Sequence, residues 1–229
     1  MARSLSVIEV YLELGSKRAF AGAVDWPGWC RSGRDEASAL QALFDYGPRY
    51  ARVLRSARLG FQVPGAASGL VVVERIRGDA TTDFGAPGAA PSKDSRHFKE
   101  EELERSRAIL RACWRAFDAA VEGASGKALR KGPRGGGRTR EAIVEHVVDA
   151  DGAYLAKIAR KPAPPGKMDL AQRLIQTRRE ILEGLESAVR NGVPERGPRG
   201  GRLWTPRHFV RRVAWHVLDH AWEMEDRAN

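Results

Sequence analysis

The first part of the chain alternates between apolar and polar residues, whereas the second part repeats apolar residues every three or four positions. Residues 5–25 alternate on either side of a turn at Gly15–Arg18, which predicts a β-hairpin. A helix is predicted to begin near Asp35 and to break at Gly47-Pro48, and a further strand is predicted over residues 69–76. Together these elements predict a small domain of strands and helix.

Four amphipathic helices are predicted in the second part, because apolar residues recur there at helical spacing between capping and stop residues. Their predicted spans are 96–122, 139–159, 169–190 and 205–226. Short connections between four such helices are typical of an antiparallel four-helix bundle. The residues between the two parts are rich in Gly, Pro and Ala, which predicts a linker. The expected fold is therefore α+β, with a small domain over 1–78, a linker over 79–95 and a bundle over 96–229.

Three of the five histidines fall on the apolar faces of these predicted helices. His216 and His220 are one turn apart on the fourth helix, and His146 lies on the inward face of the second. Imidazole nitrogen binds zinc at about 2.0–2.1 Å, and three protein ligands leave positions for water or substrate, as in catalytic zinc sites. The alternative is that each ring is a core residue satisfied by a hydrogen bond.

The segments around these histidines also resemble a known family. The segment His146-Val-Val-Asp149 and the segment 215–223, Trp-His-Val-Leu-Asp-His-Ala-Trp-Glu, are similar to the DinB-like superfamily of metal-binding four-helix bundles. The resemblance covers residues 97–229 and implies that His146, His216 and His220 bind one divalent metal ion. Zinc is the first choice of ion, with nickel, iron and manganese as alternatives.

The same resemblance implies a class of function. The family includes S-transferases that use a low-molecular-weight thiol, together with related isomerases and hydrolases. We therefore expect a metal-dependent transferase or hydrolase that acts on a small substrate with a thiol or an anionic group. No catalytic general base is predicted, and the chain's status as an enzyme stays open at this point.

Three carboxylates follow the three histidines, each at an interval of three residues: Asp149, Asp219 and Glu223. Such groups would orient a ligating imidazole if they accepted a hydrogen bond from its second ring nitrogen. Carboxylates on helix surfaces are common, however, and exposure to solvent is the simpler interpretation for each of them.

Positive charge is concentrated in two glycine- and arginine-rich segments, in a chain whose net charge is +10. The segments 132–138 and 197–202 precede the second and fourth predicted helices, which start at the same end of an up-down-up-down bundle. We expect the two segments to form one anion-attracting rim beside the metal, made of Arg134, Arg138, Arg199 and Arg202. The alternative is a pair of solvated loops whose arginines reflect the codon usage of a GC-rich genome.

The first domain carries a second, shorter resemblance. Residues 20–30, Phe-Ala-Gly-Ala-Val-Asp-Trp-Pro-Gly-Trp-Cys, are similar to the strand–turn–strand core of HicB-like antitoxin domains, which pair with RNA-cleaving toxins. This resemblance implies an interaction or dimer-forming role. It leaves open a second function for the chain, a non-catalytic regulatory protein whose HicB-like domain recruits a protein or nucleic-acid partner. Trp26 and Trp29 are expected in the core.

The remaining features restrict partners and compartment. No stretch approaches the roughly 20 apolar residues of a membrane span. Glu9 and Glu13 interrupt the apolar run near the start of the sequence, which argues against a signal peptide. Two cysteines, Cys30 and Cys113, argue against a disulfide framework. We therefore expect a cytoplasmic protein with a small-molecule substrate, without membrane association and with a homodimer as an open alternative. Nucleic-acid binding is disfavoured because no basic stripe is interleaved with aromatic residues.

Overall fold

The computed structural model describes residues 7–131, 137–164, 166–198 and 200–228. The chain forms two compact units, Met1–Arg96 and His97–Asn229. The first unit contains a four-stranded sheet and a long helix, and the second contains four long helices. The predicted α+β class, with a sheet domain followed by a four-helix bundle, is confirmed.

The sheet of the first unit has the strand order β3-β2-β1-β4. β1 (Ile8–Leu14) pairs antiparallel with β2 (Ala19–Ala23), which confirms the predicted hairpin. β3 (Cys30–Gly33) pairs antiparallel with β2; apolar alternation did not predict this four-residue strand, whereas the HicB-like resemblance implied a strand after the turn. β4 (Leu70–Arg77) lies parallel to β1, and α1 (Glu36–Leu54) is in the connection that a parallel pair requires.

α1 begins as predicted, because the Asp35 side chain accepts a hydrogen bond from the backbone nitrogen of Ser38 at 2.8 Å. The predicted break at Gly47-Pro48 is wrong, since the helix continues through both residues. Packing explains the difference: Gly47 lies against the fully buried ring of Trp29, where a Cβ atom would be 3.3 Å from that ring. Trp29 is a core residue as expected and donates its indole N–H to the carbonyl of Leu43 at 2.8 Å.

The segment 79–95, for which the sequence predicts a linker, is hydrogen-bonded to the sheet of the first unit. It contains the short helix α2 (Ala80–Phe84), which the Asp79 side chain caps. The carboxylate of Glu13, fully buried on β1, accepts hydrogen bonds from the Thr82 hydroxyl and from the backbone nitrogens of Gly88 and Ala89. This carboxylate therefore attaches the segment to the sheet.

The four helices of the second unit lie close to their predicted spans: α3 (Glu100–Gly123), α4 (Arg140–Ala156), α5 (Leu170–Asn191) and α6 (Pro206–Ala228). The caps were predictable from the sequence. The Thr139 hydroxyl accepts from the backbone nitrogen of Ala142 at 3.2 Å, and the Thr205 hydroxyl accepts from that of His208 at 3.3 Å. None of the helices in the described ranges combines the length and apolar composition that a membrane crossing requires.

The directions of the helices differ from the expected up-down-up-down order. Arg207, at the start of α6, forms an ion pair with Glu102 at the start of α3, so these two helices run parallel. Arg227, at the end of α6, donates to the carbonyl of Arg138, just before α4 begins. The starts of α4 and α6 therefore lie at opposite ends of the bundle.

The connection between α4 and α5 accounts for this order. Arg173, early in α5, binds Asp149 of α4 at 2.7 Å, and Glu183, further along α5, binds Arg160 just after α4 at 2.6 Å. These contacts show that α4 and α5 run parallel. The intervening connection must return along the bundle, and the backbone nitrogen of Ala163 donates to the Glu180 carboxylate on its way. Apolar periodicity does not encode helix direction, so the sequence could not predict this arrangement.

Candidate metal centre

The three histidines of α4 and α6 converge inside the bundle. The Nε2 atoms of His146 and His216 lie 3.2 Å apart, and one ring nitrogen from each of the three residues lies within 4.8 Å of the others. Two nitrogens bound to one ion in tetrahedral geometry are about 3.3 Å apart. The first pair has this spacing, which is also that of a hydrogen bond between the two rings. In the described part of the chain, no other group of three His, Cys, Asp or Glu residues could hold an ion.

The packing of α6 positions two of these rings. His216 and His220 are only 5% and 8% exposed, and their ring centroids lie 4.7 Å apart, one helical turn from each other. The ring of His146, on the facing helix, lies 5.1 Å from His216 and 4.9 Å from His220. His146 is the least buried of the three, so the group is most accessible from the side of α4.

Burial also influences the protonation of the rings. Desolvation lowers the pKa of His146 and lowers that of His216 well below its ordinary value of 6.5, and the neighbouring rings and Arg138 act in the same direction. These two imidazoles are therefore neutral at pH 7. Neutral imidazole is the form that coordinates a metal ion. The donor set and the neutral state of His146 and His216 fit one divalent ion.

A comparison with protein-family models identifies this part of the chain. Residues 109–224, half of the chain and the part that includes all three histidines, match the model of the DinB superfamily. The chain belongs to the DinB superfamily. Searches of curated proteins and of solved structures found no match. The family match does not reach the N-terminal unit, and the HicB-like resemblance of that unit stays a prediction.

Of the three carboxylates considered from the sequence, Glu223 contacts a histidine of the DinB bundle. Its Oε2 atom lies 2.8 Å from Nδ1 of His220, and this hydrogen bond lowers the pKa of Glu223. Asp149 instead binds Arg173 at 2.7 Å on the bundle surface. Asp219, which precedes His220 in the sequence, is half-buried. The three carboxylates therefore have different surroundings, although each follows its histidine by three residues.

Arg227 is a residue that the sequence did not single out. Its guanidinium donates to Oε1 of Glu223 at 2.6 Å, to the carbonyl of Arg130 at 2.7 Å and to the carbonyl of Arg138 at 2.9 Å. One buried side chain thus connects the carboxylate at His220 to both flanks of the segment 131–137. No local signal could have revealed this role, since the two carbonyls are 97 and 89 residues away in the chain.

A second set of side chains borders His216 on the side away from His220. The Tyr154 ring lies 5.6 Å from the His216 ring, and its hydroxyl accepts a hydrogen bond from Arg212 at 3.2 Å. The Arg212 guanidinium also lies over the rings of Trp204 and Trp215. The sequence did not predict this contact between Tyr154 and a buried arginine.

The expected single rim of arginines is wrong for the described residues. Arg138 lies at the end of the bundle where α4 starts, whereas Arg202 precedes the start of α6 at the opposite end, because these helices run antiparallel. Arg134 and Arg199 lie outside the described residues. Arg138 is nevertheless near the histidines, since its charge adds to the desolvation that lowers the pKa of His146 and His216.

Proposed function

We propose that this protein is a metal-dependent enzyme of the DinB superfamily in which His146, His216 and His220 bind one divalent ion. The observation that carries the proposal is the convergence of three inward-facing imidazoles, whose ligand atoms lie within 4.8 Å of one another. Zinc is the first choice because it favours imidazole nitrogen in four-coordinate sites, and nickel, iron and manganese are the alternatives. Because the protein would supply three ligands, the remaining coordination position of the ion would be open to a substrate.

The proposed reaction is transfer or hydrolysis on a small substrate with a thiol or an anionic group, with a low-molecular-weight thiol as the co-substrate in the transfer case. A bound ion would supply Lewis acidity that favours ionisation of a thiol or a water molecule. The chain supplies the geometry: Glu223 orients His220, and Tyr154 borders His216. Substrate would enter beside His146, the least buried of the three rings.

Metal analysis of the purified full-length chain tests the proposal. We expect about one equivalent of zinc after titration and dialysis, measured by inductively coupled plasma mass spectrometry. His216→Gln and His220→Gln should each lose most of the metal, whereas His97→Gln, which changes an exposed histidine, should retain it. Less than about 0.1 equivalent in the unchanged protein, with none gained on titration of any of the four metals, would overturn the proposal.

The N-terminal unit is proposed to have an interaction role, as its HicB-like resemblance implies. The order β2, turn, β3, α1 agrees with the strand–turn–strand–helix order of that resemblance. The alternative function of the whole chain, a regulatory protein that recruits a partner, depends on this unit. Sedimentation of the full-length protein at several concentrations tests the dimer-forming version, which predicts a concentration-dependent mass.

A further inference from the structure

A basic cavity lies at the end of the bundle where α4 starts. Its volume is about 520 Å³, within the range of pockets that hold small molecules. Residues on three segments line it: the connection after α3, the first turn of α4 and the end of α6. Its charged lining residues are Lys127, Lys131, Arg138, Arg140, Glu141 and Arg227.

The balance of charges in this cavity is strongly positive. The single acidic side chain of the lining, Glu141, is paired with Arg140 at 2.7 Å. Among the residues that the structure describes, Lys127, Lys131 and Arg138 have no carboxylate partner. Three cations around one small cavity repel one another, and a bound anion would relieve this repulsion.

The cavity adjoins the candidate metal centre. Arg227 lines it and also binds Glu223, which in turn binds His220. Arg138 lines it as well, and its charge acts on His146 and His216. The cavity is therefore linked to His220 through the side chains of Arg227 and Glu223.

We propose that this cavity is an anion subsite that holds a carboxylate or phosphate group of the substrate through Lys127, Lys131 and Arg138. This inference rests on the proposed function for its link to catalysis, since the reactive end of the same molecule would face the metal. It identifies the substrate as a small acid rather than a neutral thiol compound. The segment 125–140 contains six basic residues and no acidic residue, and three of the six are assigned to the subsite.

Direct binding of two simple anions tests the subsite. Inorganic phosphate and succinate are titrated separately into the full-length protein by calorimetry at low ionic strength, with and without zinc. The metal-free samples exclude binding of the anion to the ion itself. We expect saturable binding in the millimolar range for one or both probes, and the stronger probe distinguishes a phosphate-bearing from a carboxylate-bearing substrate.

A matched pair of double variants locates the binding. Lys131→Gln with Arg138→Gln should weaken binding at least about tenfold, since each lost contact is charge-assisted. Arg111→Gln with Arg179→Gln removes the same charge from a different groove, between α3 and α5, and should change the affinity less than about twofold. Circular dichroism should show both variants folded, because all four side chains are exposed.

Several outcomes would overturn the subsite. Equal losses in both double variants would mean that only net charge matters, and the absence of saturable binding of either probe would remove the site. Tight binding of a DNA or RNA duplex, lost in the first variant and not in the second, would reassign the surface to nucleic acid. Failure of zinc binding with intact anion binding would instead overturn the proposed function and leave the subsite standing.

Discussion

Glu223 accepts a hydrogen bond from His220, with Oε2 and Nδ1 2.8 Å apart. This contact holds the ring with Nδ1 toward the carboxylate, so that Nε2, on the far side of the ring, is the atom that would face an ion. Within the described residues, His216 has no such partner, since its Nδ1 atom is buried without a hydrogen bond. The protein therefore controls the orientation of His220 through a carboxylate.

Removal of this carboxylate should weaken metal binding. Glu223→Ala is expected to lower the zinc affinity about 10- to 100-fold, because the His220 ring would lose the acceptor that orients it. Competition with a chromophoric chelator measures the change. Asp149→Asn is the matched control, since that carboxylate binds Arg173 rather than a histidine, and it should alter the affinity less than about twofold. Equal effects of the two substitutions would contradict the assigned role of Glu223.

Arg227 should contribute to both stability and metal affinity. Arg227→Met leaves Glu223 without its cation and two carbonyls without their donor, so we expect a loss on the order of 2–3 kcal/mol in the free energy of unfolding. Urea titration measures this loss. Arg227→Lys should recover less than half of it, because one ammonium group cannot reproduce the planar set of three contacts. Full recovery by lysine would show that charge alone is sufficient.

Asp151 makes the stability of the bundle depend on pH. It lies on α4 with 1% exposure, and its Oδ1 atom has no hydrogen-bond partner in the described part of the chain. Desolvation raises the pKa of Asp151 to about 8, and the charge of Arg178 opposes this only in part. Its ordinary pKa, 3.8, applies to the unfolded chain. Between these two values the folded protein keeps a proton that the unfolded chain has lost.

The contribution of Asp151 to the free energy of unfolding should therefore fall as the pH rises from about 4 to about 8, by at most roughly 1.4 kcal/mol per pH unit. Below about pH 6.5 the lowered pKa values of His146, His208 and His216 act in the opposite direction, because the unfolded chain binds protons that these folded rings do not. Asp151→Asn should remove this contribution, so the variant should gain stability relative to the unchanged protein as the pH rises from 5.5 to 7.5. Urea titrations of both proteins at pH 5.5 and 7.5 measure the difference. Parallel pH profiles for the two proteins would show that another group is responsible.

Glu13 should determine whether the segment 79–95 stays attached to the first unit. Glu13→Ala leaves the Thr82 hydroxyl and two backbone nitrogens without their acceptor, each at a cost of about 1–3 kcal/mol where the group stays buried. We expect faster amide exchange and faster proteolysis across 79–95. Asp45→Ala, which changes an exposed carboxylate on α1 that binds Gln41 and not the segment 79–95, serves as the control. Unchanged exchange in Glu13→Ala would mean that other contacts hold the segment.

The sequence by itself determined the helices of the bundle, their caps and the inward position of the three histidines. Each of these depends on short-range physics: the 3.6-residue period, the hydroxyl of Thr139 at a helix start, and the one-turn spacing of His216 and His220. The resemblance to the DinB-like superfamily added the expectation of one shared metal ion, and the family match confirms the superfamily.

The tertiary structure alone decided the direction of α4 and the partners of the charged residues. Helix direction depends on how a connection returns along the bundle, which the apolar period does not record. Glu223 rather than Asp149 contacts a histidine, because Asp149 instead binds Arg173 on another helix. Arg227 binds Glu223 and also the carbonyl of Arg130, which is far away in the chain. Such contacts form only when the folded helices bring these side chains together, so neither spacing nor composition could predict them.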